Sequence, residues 1–312
     1  MKRPASTTPA RRVGYRLLGR GFDFVLHLRP AEWPIMAGHT AVGYVLAVGW
    51  SGVWRGEALG ALLLGLVTWV VLLNGGTLAV NSAFDRDEGD IGYLASPPPV
   101  PRGLGLFALG LMAAGQGLAF LLPRPFPWVY ATCFVMSLVY SVPPIRLKAV
   151  AGLDWVINMW GFGTLTALAG YSLTGRAIGP VQWLVLLAFC PLFAGLYPLT
   201  QLYQFDADRQ RGDRTLALVL GMRLSLQVAL VSVLVAFGLF AWAGVISGWG
   251  LGVSGVGRWL GLAAALAAWL RVLLAWFRDY RIRTPAEHQQ AMYDALAAWA
   301  LTDIVILAIW AT

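Results

Sequence analysis

Two stretches of this chain gather oxygen ligands at helical spacing. The first runs Asn81-Ser-Ala-Phe-Asp85-Arg-Asp87-Glu88-Gly-Asp90, and the second Tyr203-Gln204-Phe-Asp206-Ala-Asp208-Arg-Gln-Arg211-Gly-Asp213-Arg214. Residues four apart on a helix share a face, so Asn81 pairs with Asp85 and Gln204 with Asp208. Such hard, oxygen-only sets suit Mg²⁺, which keeps waters and shares itself with substrate phosphates. No His or Cys stands nearby, which argues against Zn. A solvated acidic loop balancing its own arginines explains one cluster as well as a metal does. Seven of the 15 acidic residues fall in these two stretches, and the repetition favours a metal–phosphate site. A third stretch, Tyr140-Ser-Val-Pro143-Pro144-Ile-Arg146-Leu-Lys148, lies between them. Its paired prolines are expected to stop a helix and hold the next residues extended. That aims Arg146 and Lys148 across the face to receive a diphosphate. Ordinary loop charge also accounts for two basic residues.

The elements that carry these groups are legible from composition. Of 312 residues 58% are hydrophobic and 12% charged, with a mean hydropathy of +0.67. That excludes a disordered chain, a coiled coil and an ordinary soluble enzyme. Apolar residues run in blocks rather than alternating, which excludes a β-barrel. The expected class is an all-α integral membrane protein. At about 20 residues per crossing, nine spans are expected: Trp33–Val53, Ala58–Phe84, Leu104–Leu122, Trp128–Ser141, Ala151–Leu173, Val181–Tyr203, Ser225–Ser247, Val256–Trp276 and Gln289–Ala311. With the N-terminus in the cytoplasm, eighteen Lys and Arg face inside, against Arg55, Arg124, Arg176 and Arg258 outside. This asymmetry supports an odd number of spans. The net charge of +8 is thus assigned to membrane orientation, and no nucleic-acid partner is expected. Residues 1–30 form a basic cytoplasmic arm, suited to anionic headgroups in part, and residues 31–312 the nine-helix domain. No cleavable signal peptide is expected. Cys133 and Cys190 read as small buried hydrophobes. Arg271 and Asp294, at equal depth, are expected to pair. His27, His39 and His288 read as interfacial or packing residues, and Asp303 has no evident partner.

The string Tyr140-Ser-Val-Pro-Pro-Ile-Arg-Leu-Lys148 with Asp154 after it, Asn81-x-x-x-Asp85, and Arg211-Gly-Asp-Arg-Thr-Leu-Ala together resemble the UbiA superfamily of intramembrane prenyltransferases, over about residues 25–311. The resemblance implies a nine-helix bundle and two Mg²⁺ ions held by Asp-rich motifs on the cytoplasmic side. It also implies a prenyl diphosphate donor and a lateral opening for its tail. The departures from the family pattern are specific. The third position of the first motif is Gly89, flanked by Glu88 and Asp90; the first position of the second is Gln204; an Arg-Pro is replaced by Pro97-Pro-Pro-Val-Pro101. Expected metal ligands are therefore Asn81, Asp85 and Asp208, with Asp90, Gln204 and Asp206 as alternates. Arg146, Lys148 and Arg86 are the expected diphosphate contacts. Tyr140 and Tyr203, at inner helix ends, are placed to face an allylic cation. Asp85, Asp208, Tyr140 and Tyr203 thus form the expected catalytic set. The expected activity is Mg²⁺-dependent prenyl transfer to an aromatic or lipid-like acceptor in a bacterial cytoplasmic membrane, with the site facing the cytoplasm. A terpene cyclase on the same scaffold, and a transporter or non-catalytic subunit, are the rivals. Transport calls for charges at mid-membrane, whereas these gather at the inner rim.

Overall fold

The computed structural model describes residues 8–85, 91, 92, 94 and 96–310, without the side chains of residues 56–58, 206, 207 and 211. The described residues are mainly helical, with no named strand among them, only isolated bridges such as Val150 to Arg214. Two short helices, α1 (Pro9–Leu18) and α2 (Phe22–His27), precede the bundle. Then follow α3 (Trp33–Val53), α4 (Gly56–Leu66), α5 (Gly76–Asp85), α6 (Leu104–Ala119), α7 (Pro125–Ser141), α8 (Leu153–Asn158), α9 (Thr166–Ser172), α10 (Pro180–Gln201), α11 (Phe205–Arg211), α12 (Leu216–Ile246), α13 (Val253–Asp279) and α14 (Pro285–Trp310). Proline in the first turn of α3, α7, α10 and α14 costs no hydrogen bond, because those N–H groups have no helical partner.

Each predicted span falls mainly on helical residues. Among the described residues, five segments are long and apolar enough to cross a membrane: Leu59–Asp85, Pro180–Gln204, Leu216–Ile246, Val253–Asp279 and Pro285–Trp310. Wide π-helical turns at Val67–Gly75 and Met159–Leu165 join α4 to α5 and α8 to α9. Many apolar side chains point outward, among them Leu106, Leu121, Trp128 and Leu260. That is the surface a lipid solvent selects.

The core has two lobes. One is built mainly from α4 to α7 with part of α3, around Trp69, Met112, Phe126 and Tyr130. The other is built from α10, α12, α13 and α14, around Phe189, Phe240, Trp269 and Trp276. Helix α3 feeds both, and it crosses α9 backbone to backbone. A Cβ on Gly43 would collide with the Ala167 carbonyl, and one on Gly170 with that of Thr40. Small residues allow this approach, which apolar solvent alone does not drive. Pro198 inside α10 cannot bond the Ala194 carbonyl four residues back. The Trp155 indole N–H donates to that oxygen instead, at 2.8 Å.

The arm is more ordered than a tail over its described part. Arg11 donates to the Ser96 carbonyl at 3.1 Å. Leu26, Ile91 and Leu94 form a small third core, with Tyr15 and Phe22 against it.

Candidate functional site

Helix α5 ends in Asn81 and Asp85, one turn apart. Facing them, the chain after α7 does not run extended as expected. It turns at Pro143-Pro144, and Arg146 has φ +39°, a left-handed conformation that an arginine holds only when its surroundings fix it. The fixing contacts are visible. Arg146 Nη1 donates to Asp213 at 2.7 Å, and Nη2 reaches Asp85 at 3.3 Å. Lys148, buried on the next short turn, donates from Nζ to Asn81 Oδ1 at 2.7 Å and also to Asp85 Oδ1. Ser141 Oγ donates to Asn81 Oδ1 at 3.3 Å. Burial works against the Arg146 charge, but the hydrogen bond and charge of Asp213, then of Asp85, outweigh it and hold its pKa above the ordinary value.

Asp213 arrives from the second lobe. Helix α11 ends at Gly212, whose φ of +73° suits glycine and reverses the chain. The Asp213 N–H then donates to the Asp208 carbonyl at 3.1 Å. Asp208 is itself buried, 3% exposed.

The start of α12 is fastened by a carboxylate deep in the bundle. Asp154 is fully buried and accepts from the backbone N–H of Gly152 at 2.8 Å and of Leu216 at 2.9 Å. Gln201 Nε2 donates to it at 3.1 Å, while Gln201 Oε1 accepts from Ala217 N–H at 3.1 Å. Tyr197 stands 3.5 Å from the same carboxylate and shares a 2.9 Å hydrogen bond with Tyr140.

Most of these groups, though not Arg146, Ser141 or Asp154, line one cavity of about 310 Å³. Asn81, Asp85, Tyr140, Lys148, Tyr203, Gln204, Asp208 and Asp213 line its polar part, with Arg29 and Glu32, which pair at 3.6 Å. Burial raises the Glu32 pKa, and Arg29 opposes this. Phe162, Phe193, Leu196, Met292, Leu296 and Trp299 line its apolar part. Gln204 Nε2 donates to the Tyr203 hydroxyl at 2.6 Å. A second cavity of about 160 Å³ adjoins the first, sharing Met36, Asn81, Tyr140, Asn158 and Phe162.

Of the residues singled out in sequence, Asn81, Asp85, Asp208, Tyr140, Tyr203, Gln204 and Lys148 come together around this one cavity. Arg146 joins through Asp85. Arg86 and Asp90, and the side chain of Asp206, lie outside the described residues. Among the described residues no group of three His, Cys, Asp or Glu side chains stands ready to hold a metal. The donor set nonetheless suits a cation, since Asn81 Oδ1 and Asp85 Oδ1 together grip the Lys148 ammonium.

Two further expectations need correction. Arg271 and Asp294 form no ion pair; both are exposed, and Asp294 accepts from Gln290 at 3.1 Å. A helical face turned outward separates residues that merely share a depth. Asp303 does have a partner, and it is His39. The ring of His39 bonds Asp303 Oδ1 through Nδ1 at 2.9 Å and the Gly163 carbonyl through Nε2 at 2.9 Å. Nε2 must carry a proton to bond a carbonyl, so one further proton lies between Nδ1 and Asp303. His39 lines the main cavity, packed edge-on against Phe189 and Trp299. Asp154, Asp213, Tyr197 and Gln201 were also missed as site residues. Asp154 and Asp213 stood inside the motif strings, but their bonds cross 62 and 67 residues.

An apolar helical bundle with charges of both signs at one part of a greasy cavity defines a class: a membrane-embedded enzyme for a molecule with an ionic head and a hydrocarbon body. The chain belongs to the UbiA prenyltransferase family, whose model matches residues 33–301. It is a prenyltransferase, moving an alkyl group other than methyl. The digeranylgeranylglyceryl phosphate synthase of Natronomonas pharaonis is 31% identical over 69% of this chain and 78% of its own. The bacteriochlorophyll synthase 33 kDa chain of Cereibacter sphaeroides is 29% identical over 70% of this chain and 74% of its own. A UbiA homologue from Archaeoglobus fulgidus, solved with DMAPP and Mg²⁺, shares the fold with a TM-score of 0.65, at 17% identity over 92% of this chain and 99% of that one.

Proposed function

We propose that the protein transfers an isoprenyl group from a prenyl diphosphate to a hydrophobic acceptor, aromatic or lipid-like, in an Mg²⁺-dependent reaction. The observation that carries this is the split lining of the main cavity. Its polar part takes Asn81 and Asp85 from one lobe and Asp208 and Asp213 from the other, with Lys148 between, and its interior is apolar and aromatic. The complex of the archaeal homologue with DMAPP and Mg²⁺ supports the same assignment. Asn81, Asp85 and Asp208 are the residues that would hold the metal, with Asp90, Gln204 and Asp206 as alternates. Mg²⁺ held by these residues would supply positive charge to the leaving diphosphate.

The chain's own groups do the rest. Lys148 and Arg146, with Arg86 as the further candidate, supply fixed positive charge to the diphosphate oxygens. Asp85 and Asp213 hold them in position beforehand, which avoids reorganisation during reaction. The carbon–oxygen electron pair leaves with the diphosphate. Tyr140 and Tyr203 present rings to the allylic cation, and Phe162, Phe193 and Trp299 exclude water from the hydrocarbon. The acceptor then forms the new bond to the allylic carbon and gives up its proton.

The proposed setting is the nine-span bundle over residues 31–312, with the arm of residues 1–30 and the site facing the cytoplasm. The test is purified protein with labelled DMAPP or geranyl diphosphate, with and without Mg²⁺, EDTA and a lipid extract. Labelled transfer product that needs both Mg²⁺ and extract is the expected result. A cyclised product without extract would make the protein a cyclase, and no turnover in any condition would overturn the proposal.

A further inference from the structure

The smaller cavity lies beneath Asn81, against α5, α7, and the π-helical turns on either side. Its lining differs in kind from that of the main cavity. Trp69, Leu73, Cys133 and Met136 give it apolar walls, and Asn74, Thr77 and Ser137 put neutral polar groups among them. Among the described residues, none that lines it carries a charge.

Thr77 and Ser137 are satisfied. Each donates to a backbone carbonyl one turn back at 2.8 Å, or shares the 2.7 Å bond between their two hydroxyls. Asn74 is different. It is only 5% exposed, and its Nδ2 has no hydrogen-bond partner among the described residues. A buried amide in hydrocarbon costs free energy unless something bonds it. Its place in the chain is equally telling. Asn74 lies seven residues before Asn81, two turns back on the same face, so about 10 Å below the polar rim. It also sits within the wide turn Val67–Gly75, a feature frequent at functional sites.

We propose that this chamber receives the acceptor, and that Asn74 holds an uncharged oxygen of it, an alcohol or a ketone. The inference rests on the main cavity being the donor site. A prenyl chain offers nothing for an amide to bond, so the unmet group points to the other substrate. The absence of lining charge excludes a carboxylate or phosphate from the chamber. Its volume, about 160 Å³, is close to that of an engineered cavity of about 150 Å³ that takes up benzene. The part it admits is therefore about one six-membered ring in size. Held by its oxygen at the lower end, such a body presents its opposite end to Asn81 and the donor. Asn74 then sets which atom of the acceptor is prenylated.

Photolabelling of the full chain in detergent, with neither donor nor metal, tests this. The probes are a cyclohexanol bearing a ring diazirine opposite its hydroxyl, and the same ring without the hydroxyl. Saturable labelling of the segments around Val67–Leu78 and Cys133–Ser141 by the alcohol, at about tenfold lower concentration than by the hydrocarbon, is expected. Asn74→Leu should erase that difference while leaving the melting temperature unchanged or raised, because it removes an amide N–H group with no partner among the described residues. Equal labelling by both probes in the wild type would overturn the proposal. So would an unchanged preference in Asn74→Leu, the result expected if only an ordered water meets the amide, or a lowered melting temperature, which would make Asn74 a structural residue. Because no donor is present, a failed transfer assay leaves this outcome readable, and failed labelling leaves the transfer assay intact.

Discussion

Lys148 and Arg146 both converge on Asp85 at the rim. Replacing it by Asn keeps its shape but removes the charge that gathers cations. Asp85→Asn and Asp208→Asn should each lower kcat/KM by at least about a hundredfold, read with labelled donor at saturating Mg²⁺, with melting temperature as the control for folding. Arg146 gives a sharper test. Its two nitrogens meet Asp213 and Asp85 together, and a lysine cannot span both. Arg146→Lys should raise the donor KM by about tenfold, the loss of one charge-assisted bond, without altering membrane insertion. Wild-type KM would remove this arginine from donor binding. Asn81, Asp85 and Asp208 were legible in sequence because helical spacing alone aligns them within each motif. Asp213 and Asp154 were not, because their partners lie in other elements and no local spacing announces them.

At the scale of elements, two buried polar junctions hold the bundle in register. Asp154 ties α8, α10 and the first turn of α12 through Gly152, Gln201 and Leu216. Asp154→Ala leaves several donors unpaired and should cost about 3–5 kcal/mol, seen as a large drop in melting temperature even without substrate. His39 and Asp303 join α3 to α14, and Gly163 brings in the wide turn before α9. His39→Leu alone strands a buried carboxylate and should destabilise by about 3–5 kcal/mol, whereas adding Asp303→Leu should recover much of the loss. A double variant no better than the single would show that the pair carries no coupling. Sequence reading found the helices because apolar runs of this length have few alternatives. It missed the pairing of His39 with Asp303, since residues 264 apart meet only once the order of packing is known. It paired Arg271 with Asp294 on depth alone, and depth does not tell which way a helical face turns.

For the whole molecule, the question is which side of the membrane each loop occupies. By the asymmetry of basic residues, the N-terminus, the two acidic motifs and the loop at Arg281 are expected on one side, and Arg55, Arg176 and Arg258 on the other. Within the structure, the arm reaches the loop at Ser96, and Arg146, Asp85 and Asp213 meet at one rim. Five segments among the described residues have the length and hydropathy of a crossing helix, so the nine-span expectation rests on the shorter or kinked ones. Among these, α3 carries Gly49 at φ +70° inside it, and α7 has 17 residues. Both native cysteines are buried, which makes single introduced cysteines readable against a quiet background. Ser51→Cys and Arg176→Cys should react with an impermeant maleimide from outside intact cells. Arg102→Cys and Arg281→Cys should react only after the membrane is opened. If Arg102→Cys reacts in intact cells, helices α3 to α5 do not make two crossings, the odd count fails, and the site cannot face the cytoplasm together with the arm.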